Sequence, residues 1–176
     1  MKKLLFIFTI LLSAIGFAQQ TDNPVQIDKN IIKTDVTELL LTTRYHFNVS
    51  WEHLIRKKAG LQLDFTFSNY GDDLAYNDIY SQLGISYRFY FNKHVNQMKG
   101  LYVAPALRLH WRYAAGIDSN RDYNALYSTA GLNLGYQWII KKKWTLDLYT
   151  DWQLDFITHR LHGGYGSFGI KFGYKF

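Results

Sequence analysis

The chain is 176 residues long, the length of one domain, with a formal net charge of +6 and no cysteine. Without cysteine there is neither a disulfide framework nor a zinc–thiolate site, and the basic residues are too dispersed to form a nucleic-acid footprint. Fourteen Tyr, 12 Phe and 5 Trp beside only 2 Pro is the composition of β-sheet.

At the N-terminus, Lys2 and Lys3 precede an apolar run from Leu4 to Leu12 and the small-residue stretch Gly16-Phe17-Ala18. This is the layout of a secretory signal peptide covering residues 1–18, with cleavage expected before Gln19. The run has about half of the ~20 residues a spanning helix needs, and no cysteine follows it to carry a lipid anchor. Lys2 and Lys3 contribute two of the positive charges, which leaves +4 on the mature chain. Residues 19–29, polar and holding Pro24, read as a flexible periplasmic spacer.

Residues 30–176 alternate apolar and polar side chains over stretches long enough to cross a bilayer as tilted strands. Residues 31–40 alternate poorly and 45–55 set Phe47, Val49 and Trp51 against Asn48, Ser50 and Glu52; two strands are expected there. Residues 61–70 and 125–140 alternate as well. Residues 80–92 place Leu83, Ile85, Tyr87, Phe89 and Phe91 opposite Gly84, Ser86 and Arg88, and residues 101–113 place Val103, Leu107, Leu109 and Trp111 opposite Arg108, His110 and Arg112. Along 144–156, Trp144, Leu146, Leu148, Trp152, Leu154 and Phe156 share one face. The last strand sets Phe168, Ile170, Phe172, Tyr174 and Phe176 against Gly169, Lys171, Gly173 and Lys175. No helix would sort these residues so.

The connections alternate too. Residues 56–60, 93–100 and 141–143 are mostly short and basic, whereas 71–79, 114–124 and 157–166 are longer and polar. The expected fold is therefore all-β, an eight-stranded antiparallel up-and-down transmembrane barrel with short periplasmic turns and longer extracellular loops. A soluble lipocalin-like barrel alternates as well, with its apolar face inward. The chemistry of the polar face separates the two, because a narrow lumen needs small or mutually paired groups. Here that face carries glycines (84, 131, 135, 169 and 173), Ser50, Ser86, Asn133 and Gln137. It also sets six acids (Asp35, Glu52, Asp64, Asp147, Asp151, Asp155) against six bases (Lys33, Arg88, Arg108, Arg112, Lys171, Lys175). A buried unpaired charge costs several kcal/mol, so a near-neutral, paired lumen is expected. Two aromatic girdles are expected as well: Phe91, Tyr102, Trp138, Trp144 and Phe176 at the periplasmic level, and Phe67, Trp111, Tyr113, Tyr127, Trp152, Phe156 and Phe168 at the outer level.

The ending Gly169-Ile170-Lys171-Phe172-Gly173-Tyr174-Lys175-Phe176 resembles the C-terminal signal of outer-membrane proteins, which implies recognition by the barrel-assembly machinery through Phe176. Asn30-Ile31-Ile32-Lys33-Thr34-Asp35, then Phe47-Asn48-Val49-Ser50-Trp51-Glu52 and Leu61-Gln62-Leu63, is similar to a family of small barrels of unknown function from Bacteroidetes-type bacteria. Size and strand number also resemble the OmpA-type transmembrane domain, although no peptidoglycan-binding domain is read after Phe176. The resemblance implies an outer-membrane location in a Gram-negative envelope and supplies no catalytic residues.

No constellation forces chemistry. His110 lies on the inward face, and His159, Arg160 and His162 lie near Thr158 in the last long loop, where they could meet a metal or a lipopolysaccharide phosphate. Asp72 with Asp73, and Asp118 with Asp122, fall short of the roughly six oxygen ligands a hard cation takes. The His-x-Ser-x-Asn run of barrel-type lipid A deacylases is absent. The expectation is thus no catalytic, metal or cofactor residue, and no cofactor. It is a structural or interaction barrel with a charge-paired lumen, in contact with outer-membrane lipids and lipopolysaccharide and an accessory to an envelope complex. The alternatives are a narrow channel, for which Arg108, Arg112 and Tyr149 leave little width, a small-ligand or lipopolysaccharide-binding barrel, and, last, a lipid-modifying hydrolase.

Overall fold

A computed structural model describes residues 28–37, 45–69, 76–91, 97–116, 123–155 and 165–176. They form one closed barrel in which every strand pairs antiparallel with its sequence neighbours: β1 (Asn30–Asp35), β2 (Tyr45–Arg56), β3 (Ala59–Asn69), β4 (Tyr76–Tyr90), β5 (Gly100–Gly116), β6 (Tyr123–Ile140), β7 (Trp144–Asp155) and β8 (Tyr165–Lys175). The expected all-β, eight-stranded up-and-down architecture is the one observed. Both described ends of the chain lie at the end of the barrel that carries the β2–β3, β4–β5 and β6–β7 connections, hereafter the turn end. The opposite end is the loop end.

Alternation places side chains as the period of two requires. Leu83, Leu107, Leu126, Trp152 and Phe168 stand on the outer wall, each around 60% exposed, while Lys33, Glu52, Arg88 and Asp147 are almost wholly buried inside. All five tryptophans, at 51, 111, 138, 144 and 152, belong to the outward phase.

Several boundaries differ from the sequence reading. β1 ends at Asp35 rather than near residue 40, because the Asp35 carboxylate accepts the Thr37 N–H (2.9 Å) and caps a helical turn at Val36 and Thr37. The Thr37 hydroxyl accepts the N–H of Ile170 (2.7 Å), giving β8 a partner where β1 has left the sheet. The first turn tightens to residues 57–58, with a register shift between Leu54 and Arg56. At the loop end, β4, β5 and β6 run further than expected, pairing Tyr76 with Gly116 and Ala114 with Tyr123. The ladder continues there because each added residue makes main-chain hydrogen bonds whatever its side chain, and polarity alone does not stop a strand.

The girdles need two corrections. Tyr102 is fully buried in the lumen and Tyr127 stacks on His110 at 4.6 Å, so neither faces outward. Phe156 lies outside the described residues; Phe67, Phe91, Trp111, Trp138, Trp152, Phe168 and Phe176 are exposed as expected.

Lys141 (φ 49°) and Lys142 (φ 70°) make the β6–β7 turn with two successive left-handed residues. Hairpin twist calls for such a pair, but a Cβ makes it strained, which is why Asn-Gly is the favoured solution. Lys141→Asn with Lys142→Gly should raise unfolding stability by about 1 kcal/mol, read as a higher urea midpoint in detergent micelles; an unchanged or lower midpoint would show the turn to be unstrained.

Candidate functional site in the barrel lumen

Inward residues of all eight strands stack in layers. At the turn end, Ile31, Leu54, Tyr90, Met98, Tyr102 and Ala104 form an apolar plug. Met98 comes from the β4–β5 connection and is tied inside by Gln137, whose amide Nε2 donates to the Met98 carbonyl. The plug closes this end.

Above it lies a four-charge cluster. The three N–H groups of the Lys33 ammonium are shared among four acceptors, Glu52 Oε2 (2.6 Å), Asp147 Oδ2 (3.1 Å), Gln62 Oε1 (3.2 Å) and Gln137 Oε1. Arg88 Nη1 donates to Asp147 Oδ2 (2.6 Å) and lies 3.7 Å from Glu52 Oε2. The second oxygen of each carboxylate is taken by a phenol: Tyr90 donates to Glu52 Oε1 (2.6 Å) and Tyr102 to Asp147 Oδ1 (2.8 Å). Two cations and two anions, with every carboxylate oxygen occupied, meet most of the condition under which buried charges are tolerated, Arg88 Nε having no partner among the described residues.

Glycines make the room. A Cβ on Gly173 would stand 2.7 Å from Lys33 Cγ, and one on Gly135 would stand 2.5 Å from both the Tyr102 hydroxyl and the Leu148 carbonyl. The large inward side chains thus lie over neighbours that have none.

The next layer surrounds a polar cavity of about 270 Å³ toward the loop end. Its walls carry two further ion pairs, Lys171 Nζ to Asp64 Oδ1 (2.6 Å) and Arg108 Nη2 to Asp151 Oδ1 (3.0 Å). Lys171 also donates to Ser50 Oγ (2.8 Å), Arg108 to Asn133 Oδ1 (3.0 Å) and Tyr149 to Asp35. The lining is polar and balanced in sign, suited to water and small hydroxylated solutes and not to an acyl chain.

Near the rim, His110 links Tyr80 Oη (2.6 Å) to Thr129 Oγ1 (2.8 Å), and His46 Nδ1 meets Ser68 Oγ at 2.6 Å. The His46–Ser68 pair joins directly opposed residues of β2 and β3, and Ser68 is fully buried, so a substrate carbonyl cannot reach its hydroxyl. Among the described residues, no group of three or more His, Asp or Glu side chains could hold a metal ion.

Of the twelve charges expected inside, Lys33, Glu52, Arg88, Asp147, Asp64, Lys171, Arg108 and Asp151 are ion-paired there, and Asp35 accepts a phenol. Arg112 is different. Its side chain is nearly half exposed at the loop end, where it makes a two-pronged bond to Asp78, at 3.0 and 2.6 Å. Asp78 lies on β4, which begins at Tyr76, rather than in the expected loop 71–79. Lys175 is half-buried at the turn end, and the Asp155 side chain lies outside the described residues, as do His159, Arg160, His162, Asp72, Asp73, Asp118 and Asp122. Tyr90, Met98 and Gln62 were missed as lumen residues. Parity was the available signal for two of them, since Tyr90 is two residues from Arg88 and Gln62 two from Asp64. Met98 lies in a connection and had none.

A closed eight-stranded barrel that is polar within and apolar without defines the class of protein. The chain belongs to the family described as Protein of unknown function (DUF3575), whose model matches residues 5–152. Its fold is similar to the N-terminal β-barrel domain of Pseudomonas aeruginosa OprF, with TM-score 0.54 and 14% identity over 85% of this chain and 98% of that one. It is also similar to the Yersinia pestis outer membrane protein Ail in a phospholipid bilayer nanodisc, with TM-score 0.50 and 11% identity over 85% of this chain and 99% of that one. No curated protein matches it.

Lys33→Met removes the cation that two buried carboxylates share, and breaking such a pair from one side costs about 3–5 kcal/mol. Guanidinium unfolding of the folded barrel should show a loss of that size; less than about 1 kcal/mol would mean the cluster does not hold the barrel. Gly135→Ala must displace a backbone carbonyl as well as a phenol and should cost about 1–3 kcal/mol in the same titration.

Proposed function

We propose that this chain is exported by its N-terminal signal peptide, residues 1–18, and assembles as a structural or interaction barrel in the outer membrane of a Gram-negative cell of Bacteroidetes type. In this reading residues 19–29 are a periplasmic lead-in, the turn end faces the periplasm and the loop end faces outward. The barrel-assembly machinery reads the strand ending at Phe176. The outer wall contacts lipid and lipopolysaccharide, and the wall or loops dock to a partner in an envelope complex.

The supporting observation is the inversion of polarity. The wall is a continuous apolar band while the charges are sealed inside, an arrangement that is stable when the surroundings are hydrocarbon. Catalysis forms no part of the reading. A second role, retention of a small polar solute entering from the loop end, is supported by the 270 Å³ cavity above the plug. A through-channel is disfavoured by the plug itself.

Refolded into vesicles with brominated acyl chains, the protein should lose most of its tryptophan emission, since all five indoles belong to the outward phase, and should migrate faster on a gel unless boiled. Planar-bilayer recordings should show no steady current. Unquenched emission would overturn the membrane placement, and large stable single-channel currents would overturn the closed lumen.

A further inference from the structure

Basic side chains outnumber acidic ones at the turn end of the barrel. Arg56, Lys57 and Lys58 at the β2–β3 turn, Lys141, Lys142 and Lys143 at the β6–β7 turn, and Lys29 ahead of β1 are all exposed. Asp28 is half-buried beside them, and among the described residues Lys141 and Lys142 form no ion pair. A charge run of this kind is commonly a solvated face, but two features of the β6–β7 turn go further.

The first is strain. Lys141 and Lys142 hold left-handed φ angles of 49° and 70°, positions where Asn and Gly would sit at lower cost. Backbone strain kept at a point that ordinary turn chemistry could relieve marks a place where the side chains are used. The second is placement. The Lys143 ammonium lies 5.6 Å from the centroid of the outward-facing Tyr174 ring, and Trp144 stacks beside it, 5.1 Å from Tyr174 and 5.2 Å from Phe172. Lys143 therefore runs along the side wall, at the edge of the apolar band, rather than along the barrel axis. Aromatic rings with a polar edge and a cation beside them, at the border of an apolar band, are the arrangement that meets lipid headgroups.

We propose that the turn end, centred on Lys141, Lys142 and Lys143, binds acidic phospholipid headgroups, with the phosphodiester of a phosphatidylglycerol-type lipid held by the lysines and its acyl chains against Trp144, Phe172 and Tyr174. The lateral aim of Lys143 selects a lipid over an acidic protein, which would approach along the axis. This inference rests on the membrane placement argued above and concerns the leaflet opposite to lipopolysaccharide.

The test is native mass spectrometry of the full refolded chain in mild detergent with equimolar phosphatidylglycerol and phosphatidylcholine. The unmodified chain should retain phosphatidylglycerol over phosphatidylcholine by about fivefold or more, given the attraction of each cation to anionic headgroups. Lys141→Asn with Lys142→Gly and Lys143→Ser should bring the ratio close to one. Asn and Gly take left-handed φ at lower cost than Lys, so the variant should keep its heat-modifiable migration, and with that migration unchanged a loss of preference is not loss of folding. Equal retention of the two lipids by the folded unmodified chain overturns the proposal while leaving the membrane barrel intact, as does a preference that survives in the variant. An unmodified chain with no heat-modifiable form overturns both.

Discussion

The layering of the lumen follows from the need to neutralise charge inside a narrow cylinder. Lys33, Glu52, Arg88 and Asp147 are buried together, and any one of them left alone would cost several kcal/mol. The solution is joint. Two cations and two anions share oxygens, Tyr90 and Tyr102 donate to the carboxylate oxygens that remain, and the amide oxygens of Gln62 and Gln137 share what is left of the Lys33 donors. These residues come from β1 to β7, while Gly173 of β8 vacates the space that Lys33 crosses. A cluster assembled from the whole circumference can exist only when the barrel is closed, and so it favours closure over any open sheet.

The same constraint sets the pattern of small residues. An eight-stranded barrel has an interior just wide enough for side chains to fill it, so several of the bulkiest inward residues need a neighbour without a side chain. Tyr102 therefore lies over Gly135, Tyr149 over Gly169, and Arg108 beside Gly84. Where the long residues are charged or phenolic the lumen fills with hydrogen bonds; where Ile31, Leu54 and Met98 replace them, it fills with hydrocarbon. The order of these layers makes the lumen a blind pit. The polar cavity lies toward the loop end, lined by Lys171, Asp64, Arg108 and Asp151 and reaching Arg88 of the four-charge cluster, and the apolar plug closes the turn end.

Much of this was legible in the sequence, because a period of two is the strongest signal a strand can give. The inward set at Ser50, Glu52, Asp64, Arg88, Arg108, Asp147 and Lys171 followed from parity alone, as did the outward set around Leu107, Trp111 and Trp152. Tyr102 and Tyr127 were misplaced for an instructive reason. Both share a face with Arg108 or Thr129, so parity points inward, while residue type is ambiguous: a tyrosine suits a polar lumen as well as a headgroup layer because its ring ends in a hydroxyl. Which acid meets which base was not legible. The partner of Lys33 in space is set by stagger between strands 19 to 114 residues apart, which no local pattern encodes. The end of β1 escaped for a related reason: it depends on the Asp35 carboxylate capping Thr37, a choice invisible in a run of apolar and polar letters.

That short β1 also makes the two shortest ladders of the barrel, and the interior compensates for them. Main-chain pairing between β1 and β8 extends only from Ile31 to Asp35, supplemented by the mutual bonds of Asn30 and Phe176. A seam so short would fray if backbone hydrogen bonds alone held it, since each contributes only about 1 kcal/mol net. From within, however, Lys33 ties β1 to β2, β3, β6 and β7, and Lys171 reaches from β8 past β1 to Ser50 on β2 and Asp64 on β3. Two lysines flanking the seam on its inner side thus span what the ladder spans on its edge. The strand that closes the cylinder can be short because the charges it carries have nowhere else to find their partners.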